Sequence, residues 1–201
     1  MKPEQGQNPQ NGSSKLIGTL CTLDVFDASN LEKLRSYLTN QNVVRYVSTL
    51  GGDRLERFLS WLQRHSKVPG SGYAFSIFQN NPDGDRFVGI SSLHFCGLDR
   101  RTAISGTIVG ESALWGAGIG LESAVLKLEY AFGTLGIERI LATLLSDNER
   151  AKRLVDRLGY EATNSPNECF SEPHGHGRLF YELTRDNWLR STVKRSKSRG
   201  Y

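Results

Sequence analysis

Three glycines alternate at positions 116, 118 and 120 in the run Leu114-Trp115-Gly116-Ala117-Gly118-Ile119-Gly120-Leu121-Glu122, between a β-patterned stretch and a helix-patterned one. Glycine lacks a Cβ, so a loop built this way lets backbone N–H groups come close to a ligand. The helix that follows aims its unpaired first N–H groups, and the positive end of its dipole, at the same point. Strand, glycine loop and helix N-terminus together predict a cradle for a phosphate or pyrophosphate.

The periodicity on either side limits the folds that can hold such a loop. Residues 1–14 (MKPEQGQNPQNGSS) have almost nothing to bury and read as disordered. A first strand is predicted over Leu16 to Val25. A helix capped by Asp27 or Ser29 follows to about Leu38, and a second from Asp53 to about His65. Tyr73 to Phe78, Phe87 to Phe95 and Thr102 to Val109, separated by Asn80–Asp85 and Gly97–Arg101, form an antiparallel meander. After the glycine loop, Gly120, Ala124, Leu128, Ala131, Phe132 and Leu135 recur at helical spacing, and Gly136 ends the helix. Ile137 to Leu145 reads as a buried strand, Asn148 to Leu158 as an amphipathic helix capped by Gly159, and two short strands follow near Tyr160 and at Arg178 to Leu183. This order is mixed α/β in a single domain over residues 15–188. A dinucleotide site needs Gly-x-Gly-x-x-Gly, but the third glycine comes one residue early and Leu121 holds its place, with too little chain for a doubly wound sheet. No Gly-Lys-Ser/Thr follows, which excludes a Walker loop.

Composition narrows the class further. With 201 residues, 38% hydrophobic and 23% charged, the chain suits a soluble domain with a real core. It contains no apolar run of the ~20 residues needed to span a bilayer and no secretory pattern. Cys21, Cys96 and Cys169 are odd in number, widely spaced and without Cys-x-x-Cys, which argues against disulfides and zinc and for a reducing, cytoplasmic home. The net charge is +4, concentrated in the basic tail, residues 189–201, where weak contact with nucleic acid is the most that is expected.

Three motifs in matching order carry a resemblance to a known superfamily. They are Trp115-Gly116-Ala117-Gly118-Ile119-Gly120; Asn148-Glu149-Arg150-Ala151 with Leu158-Gly159-Tyr160; and Tyr181-Glu182-Leu183-Thr184-Arg185-Asp186-Asn187-Trp188. The chain resembles the GNAT N-acetyltransferases, in the branch similar to ribosomal-protein N-terminal acetyltransferases of the Rim type. That resemblance implies a mostly antiparallel mixed sheet of six to seven strands with about four helices. It also implies acetyl transfer from acetyl-CoA, as co-substrate, to a primary amine such as a protein N-terminus or a small amine. The pyrophosphate would lie on the N–H groups of Gly116, Ala117, Gly118, Ile119, Gly120 and Leu121. The pantetheine arm would pair with Ile108, Val109 and Gly110, and Asn148 and Ala151 would border it. Asn148 also reads as a simple helix cap, and Trp115 as an anchor packing the loop on the sheet. The oligomeric state, monomer or homodimer, is left open.

Acyl transfer to an amine needs a base for the ammonium proton, donors for the oxyanion and, usefully, an acid for the leaving thiolate. Backbone N–H at Val109 or Gly110 is the candidate oxyanion donor. Relatives supply the acid from a Ser or a Tyr where this chain has Ala151 and Val155, which keeps an acyl-CoA-binding module without turnover as the alternative reading. Glu111, His94 (read as sharing the Val88-Ile90-Ser92 face) and Glu172 are the candidate catalytic groups, with His174 and His176 beside the last. Each also has an ordinary reading, as a loop charge, a sheet residue or part of a hairpin. No metal is expected.

Overall fold

A computed structural model describes residues 15–47, 54–65, 70–164, 169 and 177–198. The expected disorder of residues 1–14 lies outside them. The strands are β1 (Leu16–Ile17), β2 (Cys21–Val25), β3 (Gly72–Gln79), β4 (Arg86–Cys96), β5 (Thr102–Val109), β6 (Arg139–Leu145), β7 (Glu161–Thr163) and β8 (Arg178–Thr184). They form one sheet in the order β1-β2-β3-β4-β5-β6-β8-β7, antiparallel throughout except where β5 runs parallel to β6. The helices are α1 (Leu31–Leu38), α2 (Gln41–Val44), α3 (Arg54–His65), α4 (Ile119–Glu129), α5 (Glu149–Leu158) and α6 (Arg185–Ser198). The mixed α/β architecture is as predicted, with eight strands instead of six to seven and six helices instead of about four.

The extra elements have local causes. The predicted first strand breaks into β1 and β2 at Gly18–Leu20, because the Glu122 carboxylate accepts hydrogen bonds from the N–H groups of Thr19 (3.0 Å), Leu20 (2.7 Å) and Cys21 (2.8 Å). Helix α2 is one turn long, too short to show a period, and is capped by the Asn40 side chain on the N–H of Asn42. The basic run 189–198 continues α6, which is held to the fold by buried Trp188 stacked against Phe132.

Helices α1 and α3 cover one face of the sheet. Their Leu34, Leu38, Leu59 and Leu62 bury against Ala74, Phe87 and Ile90. On the other face α4 lays Ala124 and Leu128 on Leu93, Ala103 and Ile140, joined by Val155 and Leu158 of α5. The registers Ile77↔Gly89 and Phe78↔Phe87 leave Val88 as a bulged extra residue. The bulge changes the phase of β4: Val88 packs with Ile119 on the α4 side, whereas Phe87 and Ile90 face α1 and α3. The expectation that His94 shares a face with Val88 is thereby corrected.

A second correction concerns the cysteines. Cys96, at the end of β4, forms a disulfide with Cys169, 73 residues further on, with Cα atoms 5.3 Å apart; Cys21 stays free and buried. Sequence spacing gave no sign of a pair that lies 73 residues apart. With two of three cysteines joined, cysteine usage no longer argues for a reducing compartment. Closing so long a loop stabilises a fold by about 2–4 kcal/mol. Urea unfolding of Cys169→Ser, or of the wild type under reductant, should show a loss of that order; an unchanged midpoint would show that the bond contributes nothing.

Candidate active site

The site begins where two strands part. Pairing of β5 with β6 runs only through Thr102↔Arg139, Ala103↔Ile140 and Ile104↔Leu141, while β6 goes on pairing with β8 as far as Leu145↔Arg178. The phase of β5 follows from its ends. Gly110 N–H donates to Val88 O (2.8 Å), and Arg101 O accepts from Glu138 N–H (2.8 Å). Even-numbered residues therefore bond β4, and odd-numbered ones turn toward β6. Past Ile104, the backbone groups of Ser105, Thr107 and Val109 face a gap in which, among the described residues, no strand pairs with them. Tyr160 is buried in the core with Leu93, Ala103 and Ile140, and burial pushes its phenol pKa up.

A cavity of about 460 Å³ opens beside this edge. Of the residues expected to hold the donor, Ile108, Val109, Trp115, Gly116, Gly118, Gly120, Leu121, Asn148 and Ala151 line it. Gly116 and Gly118 have φ of 89° and 92°, the left-handed region that glycine enters without strain. Gly118 is the N-cap of α4, and the helix itself offers no acceptor to the N–H groups of Ile119, Gly120 and Leu121. A Cβ at Gly118 would come within 2.9 Å of Leu20, so the β1–β2 turn packs directly on the loop.

Gly110, Ala117 and Ile119 are not among the lining residues. Ile119 is buried in the core at 3% exposure, Ala117 N–H turns back to Leu114 O, and a Cβ at Gly110 would strike the Tyr37 ring of α1 at 2.1 Å. Gly110 is thus excluded as an oxyanion donor, since its N–H is already given to Val88. Ile108 bonds toward β4, and the gap-facing positions are Thr107 and Val109. Trp115 donates its indole N–H to Val109 O (2.8 Å), which fixes the loop to the strand.

Helix α5 supplies the opposite wall. Asn148 caps it, its side-chain oxygen accepting from Ala151 N–H (3.1 Å), and also lines the cavity. Arg150, Arg153 and Arg157 line the same wall, with the Arg150 guanidinium 4.4 Å over the Trp115 ring. The sequence reading passed over these arginines, although steps of three and four residues put them on one helical stripe. Val155 faces the core and is not among the lining residues.

The proposed catalytic groups are not gathered at the cavity. Glu111 Oε2 accepts from the Tyr37 hydroxyl (3.4 Å) and sits 3.8 Å from Arg86. His94 stacks on Trp61 of α3, ring centroids 3.8 Å apart. Neither lines the cavity. Glu172, His174 and His176 fall outside the described residues. Among the described residues no group of three potential metal ligands occurs.

One further group is unexpected. Lys127 of α4 has 0% exposure, and its Nζ donates to Gly106 O (2.7 Å), Thr107 Oγ1 (3.0 Å) and Ser92 O (3.4 Å). Burial pushes its pKa down to about 7. Because the unfolded chain then binds the extra proton between that value and the ordinary lysine range, stability should rise as pH climbs through this window. Urea midpoints measured across it should increase for the wild type and flatten for Lys127→Met; parallel profiles would show that Lys127 does not titrate there.

Comparison with known proteins identifies the family and the fold. The model of the acetyltransferase (GNAT) domain family matches residues 21–161. An uncharacterized N-acetyltransferase of Bacillus subtilis (strain 168), YoaA, is 24% identical over 131 residues, 65% of this chain and 73% of that protein. Spermidine N-acetyltransferase from Vibrio cholerae, solved in complex with CoA and spermine, superposes with a TM-score of 0.69 at 16% identity, covering 86% of this chain and 99% of that one. The RimL ribosomal L7/L12 alpha-N-protein acetyltransferase superposes with a TM-score of 0.67 at 15% identity, covering 89% and 98%. With the family model spanning well over half of its length, this chain belongs to the GNAT acetyltransferase family.

Proposed function

We propose that the protein transfers an acetyl group from acetyl-CoA to a primary amine. One observation carries the reading: the glycine loop, the unpaired edge of β5 and the capped start of α5 all line a single cavity. The chemistry of those residues suits a CoA thioester. The first N–H groups of α4 and the arginine stripe of α5 complement phosphates. The odd-numbered edge of β5 offers main-chain hydrogen bonds to the two amides of a pantetheine arm, as an added strand would receive them. Thr107 would take part in this pairing, which leaves the Val109 N–H to hold the oxyanion. Glu111, two residues beyond β5 and bonded to Tyr37 outside the cavity lining, is the candidate group for the amine's proton, which would reach it through water.

Within the family, the Trp-Gly loop and the Tyr181–Trp188 ending favour a Rim-type enzyme acting on a protein N-terminus, and the acceptor of the Vibrio cholerae relative makes a polyamine the second candidate. Free thiol released from acetyl-CoA in the presence of N-terminal peptides and polyamines decides the matter. Turnover with either class supports the reading; CoA binding without thiol release from any acceptor would leave a binding module.

The cradle has its own check. Gly118→Asp adds a side chain at φ 92°, a clash with Leu20 and a negative charge beside the phosphates. Calorimetry should show CoA affinity at least tenfold weaker while circular dichroism stays native. Unchanged affinity in the folded variant would remove the loop from the binding site.

A further inference from the structure

Among the described residues, Lys127 is a buried cation with no carboxylate bonded to it. The elements packed on it present Ser91 and Ser92 from β4 and Gly106 and Thr107 from β5, which are hydroxyls and carbonyls. On its own helix the nearby Glu122 is committed to the β1–β2 turn. Three acceptors around Nζ match the three N–H bonds of an ammonium. Burial without a counter-ion opposes that charge, and the balance leaves the group titrating at about 7. A fully buried lysine so poised is a costly feature unless the charge is used.

Its hydrogen bond to Thr107 points to the use. A threonine hydroxyl has one hydrogen and two lone pairs. Lys127 donates to one lone pair at 3.0 Å, and Ser91 Oγ lies 3.4 Å away, in reach of the other. With Ser91 as the donor of that pair, the Thr107 hydrogen is left free, and Thr107 lines the cavity at the point where β5 has no partner strand among the described residues. The positions that hold a proton donor in similar enzymes are Ala151, which has no polar side chain, and Val155, which faces the core.

We propose that Thr107 is the acid of the acetyl transfer and that Lys127 is the positioning group that resupplies its proton; this rests on the acetyl-CoA reading above. As the carbon–sulfur bond of the tetrahedral adduct breaks, its electron pair goes to sulfur. Thr107 Oγ1 gives its proton to that sulfur and takes one from Lys127 Nζ, which is left as a neutral amine. After the thiol departs, water returns a proton to Lys127 through the same hydroxyl. The proton lost by the attacking amine goes separately to the base, so the protons balance over one cycle.

The test uses CoA itself and the whole chain, and needs no acceptor. A hydroxyl that donates to sulfur stabilises the thiolate, and the thiolate in turn favours the charged form of Lys127, so the groups titrate together and the pKa of the bound thiol falls. Thiolate absorbance of bound CoA, followed against pH, reports that pKa. The protein adds little background, because Cys96 and Cys169 are joined and burial together with Glu122 pushes the Cys21 thiol up to about 12. In the wild type and in Thr107→Ser the bound thiol should titrate at least one pH unit below its value in Thr107→Val and Lys127→Met, a tenfold difference in thiolate. Thr107→Val keeps the test valid if Lys127→Met does not fold. Equal titration in wild type and Thr107→Val, with CoA bound to both, overturns the relay alone. Failure of the wild type to bind CoA overturns the acetyl-CoA reading and the relay with it.

Discussion

Backbone groups taken out of water must find partners, and the parting of β5 from β6 leaves a row of them with no partner strand among the described residues. After Ile104 the two strands follow different neighbours, β5 staying with β4 and β6 with β8. The rest of the site is arranged around that edge. The glycine loop starts where the edge ends, and α5 forms the facing wall. An extended, amide-bearing ligand completes the sheet there without needing any particular side chain, which is why the side chains at the edge say little about the ligand.

The loop in turn is held by a carboxylate far away in sequence. Glu122, in the first turn of α4, binds three successive N–H groups of the β1–β2 turn, and that turn sets Leu20 against Gly118. Charge-assisted bonds of this kind are stronger than neutral ones. They join the edge of the sheet to the start of the helix that carries the cradle. Substitution at Glu122 therefore acts on the cradle through β1 and β2, elements that never touch the cavity.

Much of the fold was legible because its signals are local. The helical stripe from Gly120 to Leu135, the turns at Asn80–Asp85 and Gly97–Arg101, and the glycine caps at 136 and 159 each announce themselves within a dozen residues. The glycine loop was legible for the same reason. What escaped depends on registers and long-range neighbours. The Val88 bulge is a relation between β3 and β4, and no alternation within β4 reveals it. The Cys96–Cys169 pair needs the path of a chain segment that carries no pattern. Lys127 did leave a trace, since it lies between Ala124 and Ala131 on the apolar stripe of α4, where a lysine is out of place. Reading that stripe for its exception, and not only for its leucines, would have found it.

The contact between Gly110 and Tyr37 has a mechanical consequence. At Tyr37 helix α1 rests against bare backbone, so a glycine at 110 is needed for the close approach of that helix to the sheet. A methyl group at 110 would act as a wedge, lifting α1 from one side and bending the exit of β5 on the other. The two halves of the molecule, one carrying the helical cover and one carrying the glycine loop, share this bearing surface. A residue choice at 110 in one half is therefore constrained by the ring at 37 in the other.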